Sequence, residues 1–324
     1  MPRRALPLLV LLPALLAACG GGPTADRASS SQETRTVAHA AGSTEVPVAP
    51  QRIVTTTDQN ALLPLLELGV EEVVASVGGV GPTGEPIFRR TEGFDTTGVA
   101  HLGACCEVDV EAVAAQRPDL IVGYEFNEDV YDQLSAIAPT VLVQIFDRPL
   151  TEALLEFGDL AGDRAQAEAQ LARYEARVAS LRERLGDRLD TLSVSVITPG
   201  DPGTFFRGDD GQAVGTVMAD VAPLRPAAQT GPVGEDAVSV ERLADVDADV
   251  VLLLDFTGEE RAGGDASITT APTWRRLRAV QAGQAHVVDA TTTVGAAWAR
   301  MGAFLDVLEQ HLLTARDDVV VEQW

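Results

Sequence analysis

The sequence predicts an α/β protein built from two related lobes. Short runs rich in β-branched and apolar residues alternate with helical stretches over most of the chain. A helical pattern without proline occupies residues 150–185, and one αβ unit occurs on each side of it. The chain has 324 residues, enough for two compact lobes.

The first lobe is predicted from four strands and a helix. The strands are residues 52–57, 72–77, 120–124 and 140–144. The helix covers residues 60–68 and ends at Gly69. The unbroken apolar run at 120–124 predicts a strand buried on both faces, which is typical of a parallel sheet.

The helical stretch of residues 150–185 carries an apolar stripe, and no proline interrupts it. Gly162 and Asp163 mark the candidate break near its start. Two interpretations remain open from the residues alone: a helical hairpin within one domain, or a strut that joins two lobes.

The second lobe is predicted from strands at residues 193–197, 250–254 and 286–288 and a closing helix at 301–313. Part of it repeats the first lobe. Val108–Glu111 leads to Asp119 and an apolar strand, and Val238–Glu241 leads to Asp249 and an apolar strand. Each copy predicts a helix cap, a short helix, a turn and a buried strand.

Charge and composition exclude some classes of function. The chain carries 24 basic and 48 acidic residues, a net charge of −24, which opposes nucleic-acid binding because phosphate backbones attract basic surfaces. Three Cys and four His leave little material for a multi-metal centre or a disulfide framework. No cofactor is predicted.

The N-terminus predicts a lipoprotein signal. Arg3 and Arg4 precede an apolar run at residues 6–16 that is too short to span a bilayer. The run ends in Leu16-Ala17-Ala18-Cys19, which resembles the bacterial lipobox, so Cys19 is the predicted lipidation site. The alternative is a plain secretory signal. Residues 19–48 are predicted to be a flexible tether that places the protein on the extracytoplasmic face of a membrane.

Several segments together resemble the substrate-binding lipoproteins of ABC importers for ferric siderophores and cobalamin. They are Pro50-Gln51-Arg52-Ile53-Val54, residues 68–74, residues 111–121, residues 137–141, Val240-Glu241-Arg242-Leu243, residues 274–277 and residues 279–283. The resemblance implies two α/β lobes bridged by one long helix, with the ligand in the cleft between them. The implied domains are a signal peptide (1–18), a tether (19–48), an N-terminal lobe (49–147), a bridging helix (148–187) and a C-terminal lobe (188–324).

The resemblance also implies the partners: an iron chelate, the subunits of an ABC permease and a membrane, with the receptor itself monomeric. In that family an acidic residue at an equivalent helix start in each lobe docks into arginine pockets of the permease. Glu111 and Glu241 stand at those positions. The competing interpretation is that each Glu only suits the dipole of its own helix.

Ligand contacts are expected from loops at strand ends that face the other lobe. Aromatic and arginine side chains in these loops suit a ferric siderophore, which is bulky, partly apolar and partly polar. The candidates are Arg90, Tyr124, Phe205, Phe206, Arg207, Phe256, Trp298 and Arg300. The sequence leaves the siderophore class open, with a slight preference for hydroxamates, because the strongly negative chain disfavours highly anionic complexes.

Several alternatives stay open. Haem would need an axial ligand such as His101, Tyr124 or Met218, and cobalamin would use the same fold. A lipid-anchored surface hydrolase is the alternative of another class, although the sequence lacks the common nucleophile and metal motifs. Residues 79–84 match G-x-G-x-x-G, but Pro82 opposes the helix that a dinucleotide site requires. Cys105-Cys106 is a vicinal pair of undetermined role.

Overall fold

The structure is a computed structural model that describes residues 33–81, 83–104, 107–146, 148–207, 212–226, 237–256 and 268–316. Residues 1–32 lie outside this set. The predicted signal peptide, the lipidation site Cys19 and the vicinal pair Cys105-Cys106 therefore lie outside the described residues.

The described part of the chain begins with a β-hairpin where the sequence predicts a tether. Strand β1 (Thr34–His39) pairs antiparallel with β2 (Gly42–Pro47). Gly42 adopts φ +127° in the turn, a conformation that favours glycine. The backbone N–H of Ala40 donates to the carbonyl of Leu142, so the hairpin lies against the N-terminal sheet. The tether prediction is therefore wrong for residues 34–47.

Among the described residues, the N-terminal sheet has six strands. They are β3 (Ile53–Thr55), β4 (Val73–Val80), β5 (Pro86–Ile87), β6 (Ala100–Ala104), β7 (Leu120–Tyr124) and β8 (Thr140–Val143). Their order is β5-β4-β3-β7-β8, and β6 also pairs with β4. All pairs are parallel except β4 with β5. The four predicted strands of this lobe are thus present with small changes at their ends.

In the part of the chain that the structure describes, the C-terminal sheet has five strands. They are β9 (Val194–Pro199), β10 (Thr204–Arg207), β11 (Val238–Ser239), β12 (Val250–Asp255) and β13 (Ala285–Asp289). Their order is β11-β10-β9-β12-β13. The pairs β9 with β12 and β12 with β13 are parallel, whereas β10 is antiparallel to both of its neighbours. The predicted α/β class is confirmed.

The described helices connect and cover the sheets. They are α1 (Leu63–Glu67), α2 (Val110–Ala115), α3 (Tyr131–Ser135), α4 (Leu150–Leu160), α5 (Arg164–Leu185), α6 (Arg188–Thr191), α7 (Ala213–Val221), α8 (Arg278–Ala282), α9 (Ala290–Thr293) and α10 (Trp298–Leu312). A π-helical turn, Asp58–Leu62, precedes α1. Short 3₁₀ helices cover Glu125–Val130, Val240–Val246 and Trp274–Arg276.

The middle of the chain forms two helices rather than one. Gly162, at φ +74°, follows the end of α4, and the Asp163 side chain accepts a hydrogen bond from the N–H of Gln166 at 3.0 Å to cap α5. A Cβ atom at Gly158 would lie 2.5 Å from that of Ala167, so the two helices cross closely. The 22-residue helix α5 packs on α7 and α10, whereas α4 packs on both α1 and α7. The pair thus links elements of both halves.

The hydrophobic core runs through both sheets. One large cluster includes Val122 of β7, Phe157 of α4, Val178 of α5, Leu252 of β12 and Phe304 of α10. Two smaller clusters cover the opposite faces of the sheets, one against α2 and α3 and the other against the 3₁₀ helices of the C-terminal half. Central strands such as β7 and β12 are therefore buried on both faces, as their apolar runs predict.

The two copies of the repeated αβ unit share an aspartate contact at a strand entry, although the helix is α in the first copy and 3₁₀ in the second. Asp119 accepts hydrogen bonds from the backbone N–H groups of Gln51 and Arg52 at the start of β3, at 2.8 and 2.9 Å. Asp249 accepts one from Ser193 at the start of β9, at 2.8 Å. In each copy the aspartate's strand pairs in parallel with the strand whose entry it holds. The sequence repeat is therefore a structural repeat.

Candidate ligand-binding site

The carboxyl ends of the two sheets meet around the turn that follows β3. The carbonyl of Gln59 accepts a hydrogen bond from the N–H of Ala296, which lies between α9 and α10. Beside it, the side-chain amide of Gln212 donates to Oδ1 of Asn60 at 2.7 Å, and both side chains are buried. Loops at strand ends of the N-terminal half thus face loops of the C-terminal half, which is where α/β proteins bind ligands.

Three aromatic side chains form a rim at the ends of β7 and β8. The rings of Phe126 and Phe146 stack with centroids 5.1 Å apart, and the Tyr124 ring meets that of Phe126 edge-on at 5.3 Å. Phe126 is 65% exposed, an unusual state for a large apolar side chain. We call Tyr124, Phe126 and Phe146 the aromatic rim. It offers π-faces and apolar surface to a ligand.

Hydrogen bonds fix the loops that carry the aromatic rim. The Glu125 carboxylate accepts from the N–H groups of Ile145 and Phe146, at 2.8 and 2.7 Å, and so joins the loop after β7 to the loop after β8. The Thr56 hydroxyl donates to Oδ1 of Asn127 at 2.6 Å. A Cβ atom at Gly123 would lie 2.6 Å from that hydroxyl, so only glycine fits there. The rim is therefore held by rigid elements.

Two adjacent arginines contact different halves of the molecule. Arg89 forms a two-point ion pair with the fully buried Asp58, with nitrogen–oxygen distances of 2.8 and 3.1 Å. Arg90, at φ +60°, directs its guanidinium over the ring of Phe256, 5.1 Å from the centroid. Phe256 follows β12 of the C-terminal sheet, so this cation–π contact crosses between the halves. Arg90 and Phe256 both belong to the predicted ligand residues, whereas Arg89 does not.

Arg300 also joins the two halves. Its guanidinium donates to the carbonyl oxygens of Arg90 and Glu92, and it lies 3.8 Å from the Glu92 carboxylate. The side chain is almost fully buried, and burial lowers the pKa of Arg300 from its usual value, while Glu92 and Glu67 oppose that shift. In this structure the Arg300 guanidinium is thus bound to protein groups rather than directed to open space.

A carboxylate of the N-terminal half caps a helix of the C-terminal half. Glu67 accepts hydrogen bonds from the N–H groups of Trp298 and Ala299 at the start of α10, at 2.8 and 2.7 Å. Burial raises the pKa of Glu67, and these two hydrogen bonds act in the opposite direction. The carboxylate matches the positive end of the helix dipole, so the contact fixes α1 against α10.

The other predicted ligand residues occupy different environments. Phe205 is fully buried in the C-terminal core, while Phe206 is half-buried on the opposite face of β10. The side chain of Arg207 lies outside the described residues. Trp298 packs on Tyr174 of α5 with centroids 6.1 Å apart, beside the middle helices. The structure therefore groups Arg90, Phe256 and Arg300 and separates Phe205 and Trp298 from them.

The sequence predicts that Phe126 lies in a loop facing the other lobe but does not select it as a ligand residue, and it misses Phe146 altogether. Both follow strand ends by two or three residues, Phe126 after β7 and Phe146 after β8. That position was a usable signal, because the carboxyl ends of neighbouring parallel strands lie side by side. Aromatic residues that directly follow predicted strands are therefore candidate ligand contacts, even where the adjacent residues are more polar.

The candidate haem ligands are mostly engaged elsewhere. Nε2 of His101 lies 3.0 and 3.1 Å from the carbonyls of Gly79 and Ile87, and Met218 is buried in the core. Among the described residues, no group of three or more His, Cys, Asp or Glu side chains could hold a metal ion. No helix in the same part of the chain is both long and apolar enough to cross a bilayer.

The predicted docking residues lie at matching places in the repeat. Glu111 is in the first turn of α2, where Asp109 caps the helix by accepting from the N–H of Ala112 at 3.0 Å. Glu241 is in the first turn of the 3₁₀ helix capped by Ser239. Both side chains are exposed. Each therefore presents a carboxylate to solvent at the same point of its αβ unit.

Comparison with known proteins agrees with the family resemblance drawn from the sequence. The chain is 29% identical over 318 residues to the probable siderophore-binding lipoprotein YfiY of Bacillus subtilis, covering 93% of this chain and 95% of YfiY. It is 27% identical to the iron(3+)-hydroxamate-binding protein FhuD of the same organism, covering 86% and 88% of the two chains.

A solved structure shares the architecture over most of the chain. The crystal structure of Staphylococcus aureus SirA complexed with staphyloferrin B aligns with a TM-score of 0.72 at 26% identity, covering 88% of this chain and all of SirA. The family model described as periplasmic binding protein matches residues 56–292, which include strands of both sheets. The chain therefore belongs to the periplasmic binding protein family.

Proposed function

We propose that this protein is an extracytoplasmic, lipid-anchored receptor that binds a ferric siderophore between its two sheets and delivers it to an ABC permease. The observation that carries the proposal is similarity along nearly the whole chain to proteins named for siderophore or iron(3+)-hydroxamate binding. The similarity spans both sheets, so it covers the whole binding unit rather than one lobe.

The aromatic rim suits the outer surface of such a ligand. A siderophore supplies all the ligands to its iron, so the receptor needs walls and hydrogen bonds rather than metal-binding side chains. Phe126 and Phe146 offer stacked rings, and Tyr124 adds a third ring beside them. We assign the cation–π pair of Arg90 and Phe256 to the same proposed site, because it joins loops of the two halves. This arrangement needs no catalytic group, in keeping with a binding protein rather than an enzyme.

The inter-lobe contacts favour a small movement on binding. Glu67, Arg300 and Gln212 each form hydrogen bonds across the junction. Breaking them would leave buried polar groups without partners, which costs about 1–3 kcal/mol for each group. A receptor held in this way would act by offering a preformed site rather than by wide closure.

A binding panel tests the proposal directly. Purified protein lacking residues 1–18 is titrated with ferric hydroxamate, ferric tris-catecholate and ferric citrate complexes, and intrinsic fluorescence is recorded. Saturable binding of at least one ferric complex, without turnover, is expected. Haem and cobalamin serve as the competing ligands. Tight binding of either one, with no response to ferric chelates, would contradict the proposal.

Substitution of Phe126 tests the location of the site. Because this side chain is mostly exposed, Phe126→Ala is expected to leave the thermal stability unchanged. Loss of ring stacking is expected to weaken siderophore binding roughly threefold to tenfold. Val287→Ala is the matched control, since Val287 is also strongly exposed and lies on edge strand β13. Equal affinities in both variants would remove the aromatic rim from the site.

A further inference from the structure

A second concavity lies between α5 and α10. It has a volume of about 450 Å³, within the range of about 300–1,000 Å³ in which proteins bind small molecules. Its floor consists of small residues, Gly302 and Ala303 among them. None of its lining residues belongs to the aromatic rim, and it contains no part of the loops that follow β7 and β8. It is therefore separate from the site described above.

Two aromatic rings form one wall of this pocket. Tyr174 of α5 and Trp298 of α10 lie with centroids 6.1 Å apart, and both are largely buried. The Tyr174 hydroxyl donates to Asp220 at 2.6 Å, away from the pocket residues, so the ring is fixed in place. A fixed aromatic wall beside a floor of small residues is shaped for a flat, partly apolar molecule.

Two arginines of α5 give the rim of the pocket its charge. Arg177 is paired with Asp306 at 2.5 Å, which neutralises it. Arg173 has no hydrogen-bond or ion-pair partner among the described residues, and its side chain is exposed. On a chain with a net charge of −24, an unpaired cation beside a pocket favours an anionic group there.

Gln170 adds an unused hydrogen-bond acceptor. Its Oε1 atom is buried without a donor among the described residues, and the side chain lines the pocket. The terminal torsion of glutamine is broad, so a small rotation turns this amide towards the pocket. A ligand that brings an O–H or N–H group would satisfy the oxygen, and a buried acceptor left alone is destabilising.

We propose that this pocket binds a small aromatic carboxylate that carries a hydroxyl or amino group on its ring. The ring lies against Tyr174 and Trp298, the carboxylate pairs with Arg173, and the ring substituent donates to Gln170. Each group of the ligand thus contacts one feature of the pocket. Because the backbone N–H of Trp298 also holds Glu67 of the N-terminal half, the occupied pocket adjoins the junction of the two halves.

Ligand-observed NMR and calorimetry with 3-hydroxybenzoate, whose hydroxyl is too far from its own carboxylate to donate to it, test this proposal. For about ten heavy atoms, a dissociation constant of about 1 mM is expected. Arg173→Gln is expected to weaken binding roughly threefold to tenfold. Ala303→Leu, which fills the pocket with a good helix former, is expected to abolish binding. Arg184→Gln removes a charge from the same helix outside the pocket and is expected to leave the dissociation constant of the ligand unchanged.

Two outcomes would overturn the proposal. One is the absence of saturable binding at about tenfold the expected dissociation constant. The other is binding that Arg173→Gln and Ala303→Leu leave unchanged, which would place the ligand elsewhere on the molecule. Benzyl alcohol, which has the ring without the carboxylate, is expected to bind more weakly than 3-hydroxybenzoate, and equal binding would remove the role of Arg173.

Discussion

Two histidines, His286 of β13 and His311 of α10, stack with ring centroids 3.7 Å apart. Burial lowers the pKa of both side chains, and the nearby His286 lowers the pKa of His311 further. The folded protein therefore binds fewer protons here than the unfolded chain does at mildly acidic pH. The two neutral histidines therefore contribute fully to the free energy of unfolding above pH 6.5, the ordinary pKa of histidine. This contribution is lost as the pH falls through the lowered pKa values of the folded protein.

Replacement of one histidine is expected to reduce this pH dependence. The urea midpoint of the wild type should fall between pH 7.5 and pH 5, and that of His311→Gln should fall less. His286→Gln should behave in the same way, and the double variant should depend least on pH of the four proteins, because burial lowers the pKa of each histidine separately. Four identical pH profiles would contradict this account.

For single residues, the sequence indicated which residue types could bind a ligand, but it did not predict whether each side chain is buried or which groups it contacts. Phe205 and Phe206 are adjacent and alike, and strand alternation places them on opposite faces of β10. Alternation does not say which face is the core, because both faces of the sheet are covered. Arg89 and Arg90 pose the same problem. Only the tertiary contacts with Asp58 and Phe256 distinguish them.

Among the elements, α2 and the 3₁₀ helix at Val240–Val246 carry the two exposed glutamates. Glu111→Ala combined with Glu241→Ala is expected to leave siderophore affinity intact and to abolish uptake, because arginines recognise carboxylates through paired hydrogen bonds. Uptake of radiolabelled iron by cells checks this. The matched control removes two other exposed carboxylates, Glu128 and Glu175. Normal uptake by the first variant would refute docking through these helices.

The sequence predicted the central strands closely and the edges less well. Strand β7 has the predicted bounds, because an unbroken apolar run permits few alternatives. The hairpin of β1 and β2 was missed, because its composition is small and polar and resembles a linker. Its stability comes from tertiary contacts: Val46 is buried in the core, and Thr44 Oγ1 lies 3.1 Å from the Tyr131 hydroxyl. Such partners cannot be read from the hairpin's own sequence.

For the whole molecule, the proposed location depends on Cys19, which lies outside the described residues. Cys19→Ala is expected to release the protein from membranes, because the lipid chain supplies the hydrophobic attachment. Fractionation of cells followed by immunoblotting measures this. Replacement of a cysteine elsewhere, Cys105→Ala, is the control and should leave the protein in the membrane fraction. A cleaved Cys19→Ala protein that stays in that fraction would contradict the anchor.

The large hydrophobic cluster contains residues of both sheets and of α4, α5 and α10. Neither half has a complete interior without the other. The described unit is therefore expected to melt in a single cooperative transition in calorimetry, and two separated transitions would contradict this. Fragments produced by cutting the chain near Gly186 would each expose a large hydrophobic surface. They should be insoluble when made separately and should regain solubility only when produced together, as complementary pieces of one receptor.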